Sequence, residues 1–330
     1  MTPVKFGIIG TNFVSDWLAD AVAAVDCATV SAVYSRTEEK GSAFAAAHGI
    51  PTVYTDMEEF LSSDIDAVYI ASPNMLHMEH TLKAIAHGKH VLCEKPIASN
   101  RTEFERMRLA AEKAGVVLLE AMRPAFDTAL EAVRENLHRV GKIRRASLEF
   151  CQYSSRYDKY RAGEILQAFK PEYSNSSLMD IGVYPVHFAL RLFGKPVGEI
   201  KSNSVILPNG FEGSGEIIMP YGDMNVTVSY SKIFDSVTPS VIIGEDGAIT
   251  VDKISCPSKL TFIPRKGEAE DIPFAYDEQN MKFEVLEFVR LIESGESAAY
   301  HLQFSEWEME VLDTVRAQNG VIFPADFEEV

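Results

Sequence analysis

The sequence predicts a two-domain α/β chain. An N-terminal doubly wound parallel sheet is followed by an α+β domain with a large, mostly antiparallel, open-faced sheet. Three observations carry that expectation. From Val4 to Leu119, short apolar runs alternate with amphipathic stretches. Beyond Arg123-Pro124 the pattern changes to strand-like runs separated by turn signals, with the closing helices beginning at Met281. And 330 residues exceed what a single core usually holds. The boundary falls between residues 1–123 and 124–330.

The elements follow in order. Val4–Ile9 reads as a buried strand and Val14–Ala24 as a helix. Thr29–Tyr34 is a second strand, and Glu38–Ala47 a helix. Ala67–Ala71 is a strand, followed by a helix over Leu76–His87 that stops at Gly88. His90–Cys93 is a strand, Arg101–Ala114 a helix ending at Gly115, and Val116–Leu119 a strand. Strands alternating with helices imply parallel pairing, and right-handed crossovers then wind the sheet both ways. In the second domain Phe126–Val140 reads as a helix and Lys142–Tyr153 as a long strand. Asn209-Gly210, Tyr221-Gly222-Asp223 and Gly244-Glu245-Asp246-Gly247 punctuate the strands between Val197 and Phe274. Met281–Glu293 and Phe304–Gln318 close the chain as helices.

Composition narrows the partners. The formal net charge of −17 repels phosphate backbones and anionic lipids, so neither nucleic acid nor membrane is expected. The four cysteines form no C-x-x-C pair, and no Cys/His cluster has zinc-ligand spacing, so no metal is expected. Unpaired thiols, and an N-terminus that runs straight into a strand, point to a cytoplasmic protein.

The first strand ends in Gly10-Thr11-Asn12-Phe13-Val14-Ser15, and a helix follows. The spacing is that of G-x-G-x-x-G in the strand–turn–helix context of a Rossmann dinucleotide site. Such a turn sets backbone N–H groups and the positive helix end against a pyrophosphate. Asn12 stands in the second glycine position, where tolerance of left-handed backbone would suit it. Ser15, in the third, is small enough for close helix–strand packing. Alone, these residues fit an ordinary βα turn equally well. The second strand ends in Tyr34-Ser35-Arg36-Thr37, where NAD sites usually carry an acid for the ribose. Serine and arginine instead suit a 2′-phosphate, so NADP is the expected cofactor, with NAD the alternative.

Farther on, Ala71-Ser72-Pro73-Asn74-Met75-Leu76-His77 leads through a helix to Gly88-Lys89-His90-Val91-Leu92-Cys93-Glu94-Lys95-Pro96. With Ser177-Leu178-Met179-Asp180-Ile181-Gly182-Val183-Tyr184-Pro185, these segments resemble the Gfo/Idh/MocA oxidoreductase family. The resemblance is closest to the branch of dimeric dihydrodiol dehydrogenases and related sugar dehydrogenases. It implies a cofactor set of Ser72, Pro73, Asn74, His77, Glu94 and Lys95 beside the Gly10–Val14 turn. Pro73 and Asn74 would line the nicotinamide side, and Glu94 the nicotinamide ribose. Lys95 would sit beside the substrate carbon, with Pro96 fixing the backbone through a cis peptide. Lys95 follows the end of a strand, where open parallel sheets bind ligands, and an ammonium there can stabilise charge on a carbonyl oxygen.

Asp180, Tyr184 and His187 fall on one face if the segment is a regular helix, with Pro185 in its first turn. A carboxylate, a phenol and an imidazole so placed make a proton-transfer set, although capping and core packing explain the same spacing. The resemblance implies Tyr184 as proton donor or acceptor and Asp180 as the residue that orients the site, leaving His187 secondary. Lys95 would lower the phenol pKa and hold the substrate oxygen. Tyr153, Arg156, Tyr157 and Tyr160 form an aromatic, basic patch suited to sugars or diols, and Glu120 and Arg123 stand near the cleft. The expected reaction is hydride transfer between NADP(H) and a hydroxyl-bearing carbon of a sugar, cyclitol or diol. A non-catalytic dinucleotide sensor and a redox-assisted sugar hydrolase or lyase are the alternatives. Met224–Tyr230 alternates apolar with small polar residues, and in the resembled family that sheet face forms a dimer, so a homodimer or higher homo-oligomer is expected.

Overall fold

The computed structural model describes residues 2–327. Residues 1 and 328–330, the outer ends of the two expected domains, lie outside the described residues. The chain forms two compact units. One runs to Met122 and includes Gln279–Ser305; the other comprises Arg123–Glu278 and the stretch from Glu306 onward.

The first unit holds strands β1 (Val4–Ile9), β2 (Ala28–Tyr34), β3 (Thr52–Tyr54), β4 (Ala67–Ile70), β5 (His90–Glu94) and β6 (Leu118–Ala121). All pair in parallel, in the order β3-β2-β1-β4-β5-β6. The direction of winding therefore reverses between β1 and β4, the place where such sheets open a crevice for ligands. Register makes this concrete. Ile9 stands opposite both Tyr34 and Ile70, and Ile70 opposite Cys93. The loops that start at Gly10, Ser35, Ala71 and Lys95 thus leave the sheet along one edge. Phe6, Ile8, Val68, Tyr69 and Ile70 are fully buried, which is why β1 and β4 read as unbroken apolar runs.

Helices α1 (Phe13–Ala23), α2 (Glu38–His48), α3 (Met57–Leu61), α4 (His77–Ala86) and α5 (Arg101–Ala114) complete the crossovers. β3 and α3 have no counterpart in the sequence reading. Three residues are too few to show an alternation, and α3 is a single capped turn, Asp56 Oδ1 accepting Glu59 N–H at 2.9 Å. The sixth strand begins two residues later than expected. Val116 N–H still closes α5 on Ala111, and Val117 N–H donates to His90 Nδ1 at 2.9 Å, so pairing starts only at Leu118. That shift carries Glu120 into the sheet, opposite Cys93. The helix Met281–Ser294, read by sequence as part of the second domain, packs on this unit instead. Its Phe288 meets the Phe6 ring at 5.7 Å between centroids.

The second unit is built on eight strands: β7 (Ile143–Cys151), β8 (Lys201–Ile206), β9 (Glu212–Tyr221), β10 (Met224–Ser231), β11 (Ser240–Gly244), β12 (Gly247–Val251), β13 (Leu260–Pro264) and β14 (Glu270–Asp271). Their order is β14-β13-β12-β11-β7-β10-β9-β8, with β7 and β10 parallel and the other pairs antiparallel. Val226, Val228 and Tyr230 of β10 are fully buried, while Asn225, Thr227 and Ser229 face outward. Buried Val183, Val186, Phe188 and Leu190 give the helix Val183–Phe193 its apolar face toward β7 and β10. The single helix expected over Phe126–Val140 is broken. Asp127 turns extended and caps Thr128–Asn136 by accepting Ala129 N–H at 2.9 Å.

Candidate active site

At the end of β1, Gly10 adopts φ +110, and a Cβ there would come within 2.8 Å of the Ala71 carbonyl oxygen. Only glycine lets the two turns approach this closely. Asn12 behaves differently from the sequence expectation. Its backbone is extended (φ −98, ψ 175), not left-handed, because its side chain caps α1. Oδ1 accepts Val14 N–H at 3.0 Å and Ser15 N–H at 3.2 Å, and Nδ2 donates to the Ala71 carbonyl at 2.8 Å. Asn12 therefore satisfies helix-end donors that a glycine would leave open, and ties the turn to the loop after β4. Ser15 is fully buried, as close packing requires. Thr11 and Val14 are half-buried, and Phe13 is exposed with its ring edge-on to Trp17.

Beyond β2, Ser35 is buried and its N–H donates to the Tyr54 carbonyl at 3.0 Å. Arg36 is exposed at the approach to α2. The first acid, Glu38, sits inside α2 and accepts from Ser42 Oγ at 3.1 Å. A serine and a guanidinium thus occupy the position where an acid would select an unphosphorylated ribose.

The loops after β4 and β5 are fastened to each other. The His77 ring sits between them, Nδ1 2.9 Å from the Pro96 carbonyl and Nε2 2.9 Å from the Ser72 carbonyl. Burial drives its pKa down to about 4, against the opposing pull of the two carbonyls. A neutral ring can donate to only one of them at a time. His77 is 1% exposed and holds the Ser72 and Pro96 loops together from behind. Ser72, Pro73 and Asn74 remain half-buried on the loop it supports, with Ser72 Oγ 3.0 Å from His80 Nδ1.

Glu94, buried at the end of β5, accepts from the Tyr69 hydroxyl at 2.5 Å and, through Oε2, from Lys95 N–H at 3.3 Å. Lys95 is half-buried, and the Lys95–Pro96 peptide is cis, as expected. Past the proline, Ile97 N–H donates to Glu120 Oε1 at 3.0 Å, and Ser305 Oγ donates to Glu120 Oε2 at 2.5 Å. Ser99 N–H donates to Glu103 Oε2 and Glu103 N–H to Asn100 Oδ1, a reciprocal cap on α5. Lys95 is thereby presented from a backbone held on both sides. Glu120, read from sequence as a residue near the cleft, is a buried anchor.

In the second unit, Asp180 lies in a π-helical turn, Leu178–Gly182, that precedes the helix Val183–Phe193. The regular one-face spacing assumed from sequence does not run through that wider turn. Tyr184 is half-buried with its ring 5.5 Å from Phe150. His187 is buried and its Nδ1 lies 2.7 Å from Glu308 Oε2, which makes it a core pair. The π-helical turn is fastened at its start: Ser177 Oγ donates to the Gly213 carbonyl at 2.6 Å, and Leu178 N–H to Glu212 Oε2 at 3.2 Å. Glu212, fully buried, also accepts from Ser204 Oγ at 2.6 Å and Tyr230 Oη at 2.7 Å. In the middle of the turn Asp180 Oδ2 pairs with Lys232 Nζ. Lys232 went unnoticed in the sequence, where nothing distinguishes a lysine after an alternating strand. The aromatic patch is largely a stack, Tyr157 and Tyr160 lying against Phe169, with Arg156 exposed. Arg123 begins the short helix Arg123–Phe126.

The cofactor candidates and Lys95 belong to the first unit, Asp180 and Tyr184 to the second. Comparison with known proteins is consistent across both. A family model described as "Oxidoreductase family, NAD-binding Rossmann fold" (GFO_IDH_MocA) matches residues 4–122. The chain is 42% identical to scyllo-inositol 2-dehydrogenase (NADP(+)) IolU of Bacillus subtilis, covering 98% of this chain and 99% of the relative. It is 28% identical to trans-1,2-dihydrobenzene-1,2-diol dehydrogenase of Xenopus laevis, over 97% and 99%. Among solved structures, the 3-ketoreductase KijD10 of Actinomadura kijaniata, crystallised with NADP and TDP-benzene, superposes with a TM-score of 0.85. It covers 98% of this chain and 99% of its own, at 21% identity, and so speaks for the fold.

Proposed function

The chain belongs to the Gfo/Idh/MocA oxidoreductase family, and from that premise we propose that it is an NADP(H)-dependent dehydrogenase acting on a hydroxyl-bearing carbon of a cyclitol, sugar or diol. The observation that carries the cofactor assignment is the Gly10 turn. A positive-φ glycine, whose Cβ would strike the Ala71 carbonyl, lets the turn pack closely against the loop after β4 at the switch point of the sheet, where open parallel sheets bind ligands. Gly10, Thr11, Asn12, Phe13 and Val14 would hold the pyrophosphate; Ser35 and Arg36 the 2′-phosphate; Ser72, Pro73, Asn74, Glu94 and Lys95 the nicotinamide end. When bound, the nicotinamide supplies the two-electron acceptor or donor.

The chain's own residues supply position and proton. Lys95 donates a hydrogen bond to the substrate oxygen and stabilises charge on it. In the oxidative direction Tyr184, as phenolate, takes the hydroxyl proton and becomes the phenol; in the reductive direction the phenol gives that proton to the substrate oxygen. Asp180 orients this exchange from the turn that leads into the Tyr184 helix. Tyr153, Arg156, Tyr157 and Tyr160 offer aromatic faces and a charge suited to a polyol.

We further infer a homodimer that uses the outer face of the eight-stranded sheet. One row of that face runs Ile218, Thr227, Ser147, Val241, Thr250, Thr261 across six strands. Ile218, Ile243 and Ile263 are exposed there at 46%, 37% and 43%. Small and aliphatic residues along that row suit a partner sheet better than water. Four free cysteines fit a reducing, cytoplasmic setting.

The cofactor assignment is tested by titrating the protein with NADPH and NADH and following fluorescence transfer from its aromatic residues. NADPH binding tighter than NADH is the expected result. Binding of neither, with no nucleotide released by heat denaturation, would overturn it.

A further inference from the structure

We propose that Lys232 is a positioning residue that holds Asp180, and with it the turn leading into Tyr184, in a single arrangement. The proposal rests on the assignment of Asp180 and Tyr184 above. Lys232 stands one residue past β10 and is 4% exposed. Its backbone is gripped on both sides: N–H donates to the Gly213 carbonyl at 2.9 Å, and its carbonyl accepts from Ser154 N–H at 3.0 Å. The side chain runs inward past two rings, Nζ lying 5.3 Å from the Phe169 centroid and 5.8 Å from that of Phe211. It ends on Asp180 Oδ2.

The pair is asymmetric. The Lys232 side chain is 6% exposed, but the Asp180 side chain is 41% exposed. A carboxylate so open to water needs no buried cation for its own solvation, whereas a buried ammonium is costly to place. If the position served packing alone, an apolar side chain among Phe169 and Phe211 would do at least as well. What the ammonium adds is direction. It pins one carboxylate oxygen to a point set by an ammonium that itself lies over two rings. Ser177 and Leu178 fasten the start of the π-helical turn to Gly213 and Glu212, and Lys232 fastens its middle. Widened turns of this kind recur at functional sites. The cation therefore acts on the reaction through Asp180.

The test uses the full chain with Lys232→Gln, Lys232→Met, Lys232→Arg and Asp180→Asn, and the Lys232→Gln/Asp180→Asn double variant. Two readouts are taken: amide hydrogen exchange over residues 178–184, and kcat together with KM for NADPH. Lys232→Gln is expected to speed exchange over that segment and to lower kcat about tenfold or more, with KM for NADPH changed by less than about twofold. Lys232→Arg, keeping the charge, is expected to recover most of kcat. The double variant should be no slower than Asp180→Asn alone, since both changes break one interaction. If the neutral lysine variants do not fold, Asp180→Asn removes the same contact from its exposed side and must raise exchange in the same segment. Unchanged exchange over 178–184, a folded Lys232→Gln or Lys232→Met with wild-type kcat, or additive losses in the double variant would each overturn the proposal. Faster exchange in a protein that turns over no polyol would support the positioning role and overturn the reaction assignment instead.

Discussion

The amide nitrogen of Asn12 donates to the Ala71 carbonyl at 2.8 Å, so one side chain both caps the first helix and joins the two loops at the switch point of the parallel sheet. In the function proposed above, the same residue belongs to the turn that holds the pyrophosphate. The charge at this position and the capping of the helix can therefore be varied separately by substitution.

Asn12→Asp keeps an acceptor for Val14 and Ser15 and adds favourable charge at the helix N-terminus, but sets that charge against phosphate. Stability should stay within about 1 kcal/mol, the loss of the bond to Ala71 being offset in part by the dipole. NADPH affinity should fall about tenfold or more. Thermal melting and NADPH titration check the two halves separately.

Arg36→Ala removes the guanidinium expected at the 2′-phosphate and touches nothing else in the cradle. NADPH affinity should drop about tenfold to a hundredfold, as for loss of a charge-assisted pair, with NADH affinity unchanged. Parallel titrations with the two nucleotides decide it. An equal loss for both would place Arg36 elsewhere on the cofactor.

His77 gives a pH signature. Histidine in the unfolded chain titrates near 6.5, while folded His77 titrates at about 4. The unfolded chain takes up the proton first, so the stability His77 contributes is complete above pH 6.5 and is lost as pH falls toward 4. That gap sets a ceiling of about 3 kcal/mol. His80 and His90, whose pKa values burial also lowers, act in the same direction. Urea unfolding at several pH values should show a shallower acid loss in His77→Gln than in the wild type.

Gly182→Ala tests the socket beneath Asp180. The backbone there is right-handed helical, so no conformational penalty applies, but the new Cβ would lie 2.8 Å from Tyr230 Cγ. Tyr230 cannot easily give way, since its hydroxyl is held by buried Glu212. Overpacking of this kind costs about 1–3 kcal/mol. The melting temperature should fall by several degrees, and kcat should fall with it because the displaced turn carries Asp180.

Thr227→Arg places a long charged side chain in the middle of the outer sheet face. Light scattering on a sizing column should report twice the chain mass for the wild type and the chain mass for the variant. A wild-type monomer at micromolar concentration would remove the dimer from the account.

Much of this was legible in the residues because it is local. The apolar run Val4–Ile9, the Gly10 turn after it and the acid-free end at Ser35-Arg36 all sit where nearest-neighbour chemistry places them, while the Glu94-Lys95-Pro96 segment stands out through its family resemblance. What escaped depends on partners distant in sequence. The two-residue delay that buries Glu120 is set by His90, 27 positions before Val117. The tie that His77 makes between the two loops is set by a carbonyl 19 positions away. The Lys232–Asp180 pair spans 52 positions and two elements. Asn12 departs from its expected left-handed backbone for a different reason: asparagine is also a strong helix cap, and capping fixes it in the extended conformation.

The most direct test of the central claim is steady-state turnover of NADPH with cyclitol and sugar ketones, measured for the wild type and for Tyr184→Phe under matched NADPH binding. The account predicts NADPH consumption by the wild type, and a kcat lower by about 10²–10⁴ in Tyr184→Phe with NADPH affinity unchanged, as for loss of a general acid. A folded, NADPH-binding Tyr184→Phe with wild-type kcat would contradict the assignment of the proton to Tyr184. A wild type that binds NADPH tightly yet reduces none of these ketones and oxidises none of the matching alcohols would contradict the assignment of hydride transfer itself.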